Sequence, residues 1–334
     1  MATRDDVARL AGVSPATVSN VLTGRKYVSP ELTQKIQWAV RELNYTPNLM
    51  ARALVTSRSY QLALLVHEIA NPYYAEIAEG MEEVARVNGY TVSFSVVHDG
   101  MDELEYFNTI RQRRFDGVLD FTISSFSPEQ LRWFGENGIA YVSAGDNQTG
   151  SQIQFIYFEA VNRLMQHLSA YGHENVAFIS GLPDNAQDER FLAYCNYIQA
   201  AGREVNKRYI RYGGYPKYRS FDLGYRYARE ILAECPEVTA IFALNDLMAY
   251  GAIKAIRDMG KSVPEDISVV GCDDIFTSGL LNPALTTITV NKFGVGRMAA
   301  QLLIDQIETG KTERVFENAG LTIRDSVAYN MKKR

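Results

Sequence analysis

The sequence predicts an α/β protein whose core has two lobes of parallel sheet, preceded by a small all-α head of helix-turn-helix type. Three observations carry this. Within the first 45 residues the pair Ser-Pro occurs twice, at 14–15 and 29–30, each time opening a run with helical apolar spacing. From Tyr60 onward short apolar runs alternate with longer amphipathic ones, in two successive series. Between the two regimes Pro47 interrupts the helical pattern.

The head comes first. Thr3 with Asp6 three residues on reads as a capping box, and Val7, Leu10 and Ala11 give a short helix from about Arg4 to Ala11, ended by Gly12. Val13 lies in the turn, Ser14 caps a second helix, Pro15 fits its first turn, and Val18, Val21 and Leu22 form its buried stripe. Thr17, Ser19 and Asn20 then face outward. After TGRKYV, Ser29 caps and Pro30 starts a third helix with Ile36, Ala39, Val40 and Leu43 on its apolar face. Two helices joined by a tight glycine turn form the unit whose second helix enters the DNA major groove. A plain helical hairpin within a larger domain is the alternative, but its solvated face would carry Glu and Lys pairs where this one carries small polar residues.

Asn48 caps a further run, Leu49 to Val55, that contains Ala51, Arg52 and Leu54. About seven residues are too few for an isolated helix, because nucleation is costly. It either packs on the body or orders on meeting DNA and a second copy of itself.

In the body, LALLV, TVSFSVV, GVLDF and AYVSAG alternate with YYAEIAEGMEEVARVNG, DELEYFNTIRQRR and PEQLRWFGENG. A second series follows, NVAFISG, AIFAL and ISVVG, with helices in DERFLAYCNYIQAAG, LGYRYAREILAEC and LMAYGAIKAIRDMG. Such alternation indicates parallel sheets covered on both faces. Ligands of these sheets bind at the carboxyl ends of the strands and in clefts. The loops there offer Tyr73, Tyr74, Arg190, Asn245, Asp246, Asp273 and Asp274, a mixture of aromatic faces and planar hydrogen-bonding groups suited to a polar small molecule such as a sugar. Read singly, each is an ordinary cap or turn residue.

Composition narrows the function. Residues 1 to 60 hold eight Lys/Arg against four Asp/Glu, whereas the whole chain of 334 residues has a net charge of -5, so a basic head sits on an acidic body. That suits a polyanionic partner, because neutralised phosphates release counterions. No apolar run approaches the ~18 residues of a bilayer span, and MATRDDVARL lacks a secretory apolar stretch, so a cytoplasmic protein without a membrane partner is expected. Cys195, Cys235 and Cys272 show no CxxC spacing, which disfavours a disulfide framework or a zinc site. HEIAN misses HExxH, the four histidines do not cluster, GVGRM is a lone GxG, and neither a P-loop nor a GxSxG elbow is present. No enzyme, cofactor or metal is expected. A free small-molecule-binding protein and a hydrolase-like enzyme with a pair of acids remain as alternatives, and both leave the head unexplained.

TRDDVARLAGVSPATVSNVLTG, VSPELTQKIQWAVRELNYTPN and ARAL closely resemble the head and hinge of the LacI/GalR family of bacterial transcription regulators. YGHENVAFISG, AIFALNDLMAYGAIKAI, VPEDISVVGCDD and NPALTTI resemble its effector domain, which is similar to periplasmic sugar-binding proteins. The resemblance implies a homodimeric regulator, most readily a repressor, acting on a palindromic DNA operator. It places head 1–47, hinge helix and linker 48–59, and a core 60–334 with first lobe about 60–155 and 288–318 and second lobe about 156–287 and 319–330, the chain crossing between lobes three times. By motif position, Leu54 would wedge into the central base step, Ala51 would let the paired hinge helices approach, and Asn48 would cap them. Pro15 and Ala16 would meet only apolar groups such as a thymine methyl, while Asn20 would bind adenine where many relatives carry Arg. Thr3, Ser14, Thr17, Ser19 and Ser29 fit phosphate contacts.

In the cleft the resemblance implies that Arg190, Asn245 and Asp273 hold effector hydroxyls and that Tyr73 lines the site. Tyr215, in the loosely matched GGYPKYRSFD, would stack. Two departures matter. Ala144 stands where many relatives have Asp, with Asp146 as the substitute acid, and IYFEA replaces DNxxG, bringing in Tyr157 and Phe158. They point away from an ordinary monosaccharide and toward a larger, more apolar or aryl-substituted effector, a glycoside for instance.

Overall fold

A computed structural model describes residues 2–23, 26–46, 56, 58–96, 103–122, 126–144, 150–215 and 217–331. The chain divides into two units, Met1–Ser59 and Tyr60–Arg334. The hinge residues Asn48, Ala51 and Leu54, and Asp146 in the body, lie outside the described residues.

The head is three helices, α1 (Arg4–Ala11), α2 (Pro15–Thr23) and α3 (Pro30–Glu42). Thr3 and Asp6 form the expected capping box, and Gly12 ends α1 at φ 69°, a left-handed conformation that costs glycine nothing. The Ser14 hydroxyl accepts the Thr17 N–H at 3.1 Å, and the Ser29 hydroxyl that of Leu32 at 3.4 Å. Val7, Ala8, Val18, Ile36 and Ala39 are buried, with Ala11, Val13, Val21, Val40 and Leu43 packed around them. Leu10 and Leu22, expected in the apolar stripes, are 40% and 37% exposed. Three helices this short close over only a narrow centre, and apolar residues at the stripe margins stay on the rim.

The first sheet of the body has the order β11-β5-β4-β3-β1-β2, all parallel: β1 (Gln61–Val66), β2 (Thr91–Val96), β3 (Gly117–Asp120), β4 (Ala140–Ala144), β5 (Ser151–Ile156) and β11 (Arg314–Asn318). Side chains of β1 alternate between two apolar clusters. Leu62, Leu64 and Val66 pack with Ile77 and Met81 of α4 (Pro72–Val87) and with Val295 and Leu303 of α11 (Lys292–Thr309). Ala63 and Leu65 pack with Phe107 and Ile110 of α5 (Glu103–Arg113) and Leu131 and Phe134 of α6 (Pro128–Glu136). A strand buried on both faces reads as a continuous apolar run, which is why LALLV was legible.

The second sheet has the order β12-β10-β9-β8-β6-β7, from β6 (Val176–Ile179), β7 (Ile210–Arg211), β8 (Ala240–Ala243), β9 (Ser268–Asp273), β10 (Thr286–Thr289) and β12 (Gly320–Thr322), parallel except for the β10–β12 pair. Its helices are α7 (Phe158–Ala170), α8 (Glu189–Ala200), α9 (Ser220–Glu234) and α10 (Asp246–Asp258).

The chain passes between the sheets three times, after Ile156, after Thr289 and after Asn318. The first two differ from the expected lobe limits of 155 and 288, because Ile156 still belongs to β5 and residues 288–289 to β10. Lys292, buried at the start of α11, donates from Nζ to the carbonyls of Asp273 at 2.8 Å and Asp274 at 2.7 Å, which ties the first lobe to the end of β9.

Within each lobe two helices cross at glycines. A Cβ on Gly80 of α4 would strike the Phe293 carbonyl of α11, and one on Gly296 would strike that of Ile77. Gly224 of α9 meets the Met248 carbonyl of α10 in the same way, and Gly251 that of Phe221.

Candidate functional site

In the head, Pro15 and Ala16 stand exposed at the start of α2, while Thr17, Ser19 and Asn20 are half-buried. Thr3 is exposed and Ser14 likewise, and their hydroxyls serve as helix caps, as does that of half-buried Ser29. Three capped helix starts thus carry small polar residues.

In the body, a cavity of about 590 Å³ opens between the two lobes. Tyr73, Arg190, Tyr215, Asn245 and Asp273, drawn from five separate segments, all line it. So do Ala144 and Tyr157. Phe158 does not; it begins α7 and is 43% exposed. Asn71 caps α4 by accepting the Tyr73 N–H at 3.0 Å, which sets both Tyr73 and Tyr74 on the first turn facing the cleft.

Asp188 caps α8 through the N–H groups of Arg190 and Phe191, and its carboxylate takes the Arg190 guanidinium in a fork, Nη2 at 2.6 Å and Nε at 3.1 Å. Nη1 reaches the Leu244 carbonyl at 3.3 Å, and the guanidinium lies 4.9 Å over the Tyr157 ring. Burial alone would raise the Asp188 carboxyl, but Arg190 and the two backbone N–H groups hold it below the usual carboxylate range. Asp273 ends β9 at φ 115°, followed by Asp274 at φ 51°. Two successive residues in this sparsely populated region turn the chain sharply, so that Asp273 faces the cleft while Asp274 pairs with Arg324 at 2.7 Å. Burial, and then the nearby Asp246, push the Asp273 carboxyl well up, toward the neutral form. Burial lowers His67 to about 4, leaving a neutral imidazole in the wall.

The aromatic content is high. Tyr73 and Tyr74 meet Phe121 edge-on at 5.9 and 5.8 Å, and Phe155 stacks on Tyr157 at 5.9 Å. Ring faces and planar hydrogen-bonding groups therefore line one space.

Asp246, offered by the sequence as a loop group, is fully buried and outside the cavity lining. It accepts the Thr287 and Ser278 hydroxyls, each at 2.5 Å, and the Ile275 N–H at 3.0 Å. Burial pushes its carboxyl up to about 7, against hydrogen bonds that favour ionisation. The folded chain keeps a proton there that the unfolded chain, with an ordinary value of 3.8, releases earlier, so stability falls as pH rises from about 4 to 7 and levels off above. Asp246→Asn cannot ionise and removes this share of the decline, leaving the part that comes from Asp273, so urea titrations at successive pH values between about 4.5 and 8 will show a shallower fall.

A family model described as "Bacterial regulatory proteins, lacI family" matches residues 3–48, and one described as "Periplasmic binding protein-like domain" matches residues 165–327. The chain is 32% identical over 336 residues to "HTH-type transcriptional repressor PurR" of Pasteurella multocida (strain Pm70), covering 98% of this chain and 99% of that protein. The chain belongs to the LacI family of bacterial transcription regulators. This LacI-family chain is also 30% identical to a solved structure of the "transcriptional regulator CelR-cellobiose complex", at a TM-score of 0.71 with 98% and 100% of the two chains covered. A further solved structure, the Lac repressor dimer bound to operator and the anti-inducer ONPF, matches at 25% identity and a TM-score of 0.77, covering 98% and 99%. The chain is a DNA-binding transcription regulator with a ligand-binding domain, and its relatives are regulators, not enzymes. No described helix is long and apolar enough to cross a membrane.

Sequence reasoning missed several lining residues of this LacI-family cleft. Phe121 and Thr122 directly follow β3, so the rule that ligands meet strand carboxyl ends would have found them. Gln154 and Phe155 lie on β5, whose SQIQFI carries no apolar run to mark it as a strand; its polar Ser151 and Gln152 are buried, bonded to the backbone of Glu313 in the neighbouring chain segment. Gln187 and Asp188 lie just before α8, and His67 is weighed in the sequence only as part of HEIAN, for a metal motif that it misses.

Proposed function

We propose that this regulator is a homodimeric, cytoplasmic repressor of a palindromic operator, and that the cleft takes an uncharged, ring-bearing, sugar-like effector or glycoside. The convergence of Tyr73, Arg190, Tyr215, Asn245 and Asp273 on one cavity between two lobes carries the reading. Arg190 is the one Arg or Lys among the described lining residues, and Asp188 already neutralises it in a fork, so the site holds no spare cation for a phosphate or carboxylate. Donors and acceptors suit hydroxyls, and the Phe155–Tyr157 pair suits the apolar face of a second ring, sugar or aryl. With Ala144 at the wall, Asp146 is the acid proposed to serve in place of a missing partner. The effector acts by unequal affinity for two lobe arrangements, which alters how the hinge residues Asn48, Ala51 and Leu54 meet the minor groove.

In the head, Asn20 reads a base while Thr3, Ser14, Thr17, Ser19 and Ser29 position the helices on phosphates and Pro15 and Ala16 lie against apolar base edges. Selection from random duplexes should return palindromic sites, and Asn20→Ala should relax one position per half-site by about 1–3 kcal/mol while leaving non-specific binding intact. A melting screen should show stabilisation by neutral disaccharides or aryl glycosides; stabilisation by phosphorylated sugars alone would overturn the effector class.

A further inference from the structure

The helix α9, which begins at Ser220, has no side-chain cap from its own lobe: Arg219, at the cap position, makes no such bond. The cap comes from across the cleft. Glu68, in the loop between β1 and α4 of the first lobe, accepts the Ser220 N–H at 3.3 Å and the Ser220 hydroxyl at 2.5 Å on the same oxygen, Oε2. A carboxylate at a helix start is favoured both by the unsatisfied N–H groups and by the helix dipole.

That bond fixes the direction of a longer chain. The only proton of the Ser220 hydroxyl goes to Glu68, so the Tyr215 hydroxyl, 2.6 Å from Ser220 Oγ, must donate to it. Asn245 Nδ2 then donates to the Tyr215 oxygen at 3.0 Å and to Ser220 Oγ at 3.2 Å, which uses both of its protons, while its Oδ1 caps α10 by accepting the Met248 N–H at 2.8 Å. All four residues are at least nine-tenths buried. Asn245 and Tyr215 line the effector cavity, and Glu68 belongs to the opposite lobe.

We propose that Glu68 is a latch between the lobes: it holds the two cleft walls together and keeps the Asn245 amide engaged until a ligand takes its place. This rests on the cleft being the effector site. A ligand hydroxyl that accepts from Asn245 displaces Tyr215, and with it the orientation of Ser220 toward Glu68. Effector binding and lobe contact thereby exchange one set of hydrogen bonds for another, and that gives the ligand unequal affinity for two arrangements.

The test is hydrogen exchange on the effector-free full chain, read by mass spectrometry. Glu68→Ala should speed exchange about tenfold on both walls, at residues 220–223 of α9 and at residues 71–76 of the first lobe. Glu68→Gln, which keeps an acceptor oxygen, should return both walls to near the unsubstituted rates. Ser220→Ala removes the other end and should reproduce the two-sided effect, which keeps the proposal testable if Glu68→Ala does not fold. Acceleration confined to 220–223 would reduce Glu68 to a local cap and overturn the latch, as would unchanged exchange on both walls. The readout needs no effector, so its failure is separable from failure of the melting screen.

Discussion

Arg190→Ala will abolish the thermal response to effector and lower the stability of the chain by about 3–5 kcal/mol, the cost of stranding one member of a buried ion pair. The side chains of Arg190 and Asp188 are only 16% and 11% exposed, so water does little to replace the guanidinium. Asp188 would keep its two backbone N–H groups at the start of α8 but lose both arms of the fork. The double variant Arg190→Ala, Asp188→Asn should therefore recover much of the stability, since asparagine caps a helix nearly as well and carries no charge, without recovering the effector response. Denaturant titrations and melting scans of the two variants separate these effects. If the single variant were as stable as the parent, the fork would not be what holds that wall.

Gly224→Ala is the second large effect. Alanine is the better helix former by roughly 1 kcal/mol, yet its Cβ would fall on the Met248 carbonyl of α10, backbone that no rotamer change can move aside. The two helices must part, and overpacking of that kind costs about 1–3 kcal/mol or more, so the net change is a loss of stability in the second lobe. Gly135→Ala is the contrast. Gly135 lies exposed within α6 with nothing within 4 Å of a new Cβ, and there the substitution should stabilise by up to about 1 kcal/mol. Paired chemical denaturation curves give both signs.

Much of the architecture was legible because local chemistry and tertiary role coincide. The caps Thr3, Ser14 and Ser29, and the buried runs of β1, β6, β8 and β9, do in the fold what their sequence neighbourhoods announce. Legibility failed where a residue's role depends on something distant. SQIQFI is a strand because the segment at Arg314–Asn318 pairs with it, and the glycines at 80, 224, 251 and 296 are set by a carbonyl on another helix. The acids after β8 and β9 diverge for the same reason: Asp273 faces the cleft, while Asp246 and Asp274 are turned to Thr287 and Arg324. Composition of the loops does not tell the three apart.

The threefold passage of the chain between the lobes has a consequence for biosynthesis. The first sheet lacks its edge strand at Arg314–Asn318 and its covering helix at Lys292–Thr309 until those residues have left the ribosome, by which time most of the second sheet is already available. A nascent chain arrested before residue 292 would carry a half-clad apolar sheet into the cell, where it invites aggregation or chaperone capture. Neither lobe is therefore a separable gene fragment, and cutting this coding sequence in half should yield two pieces that do not fold alone.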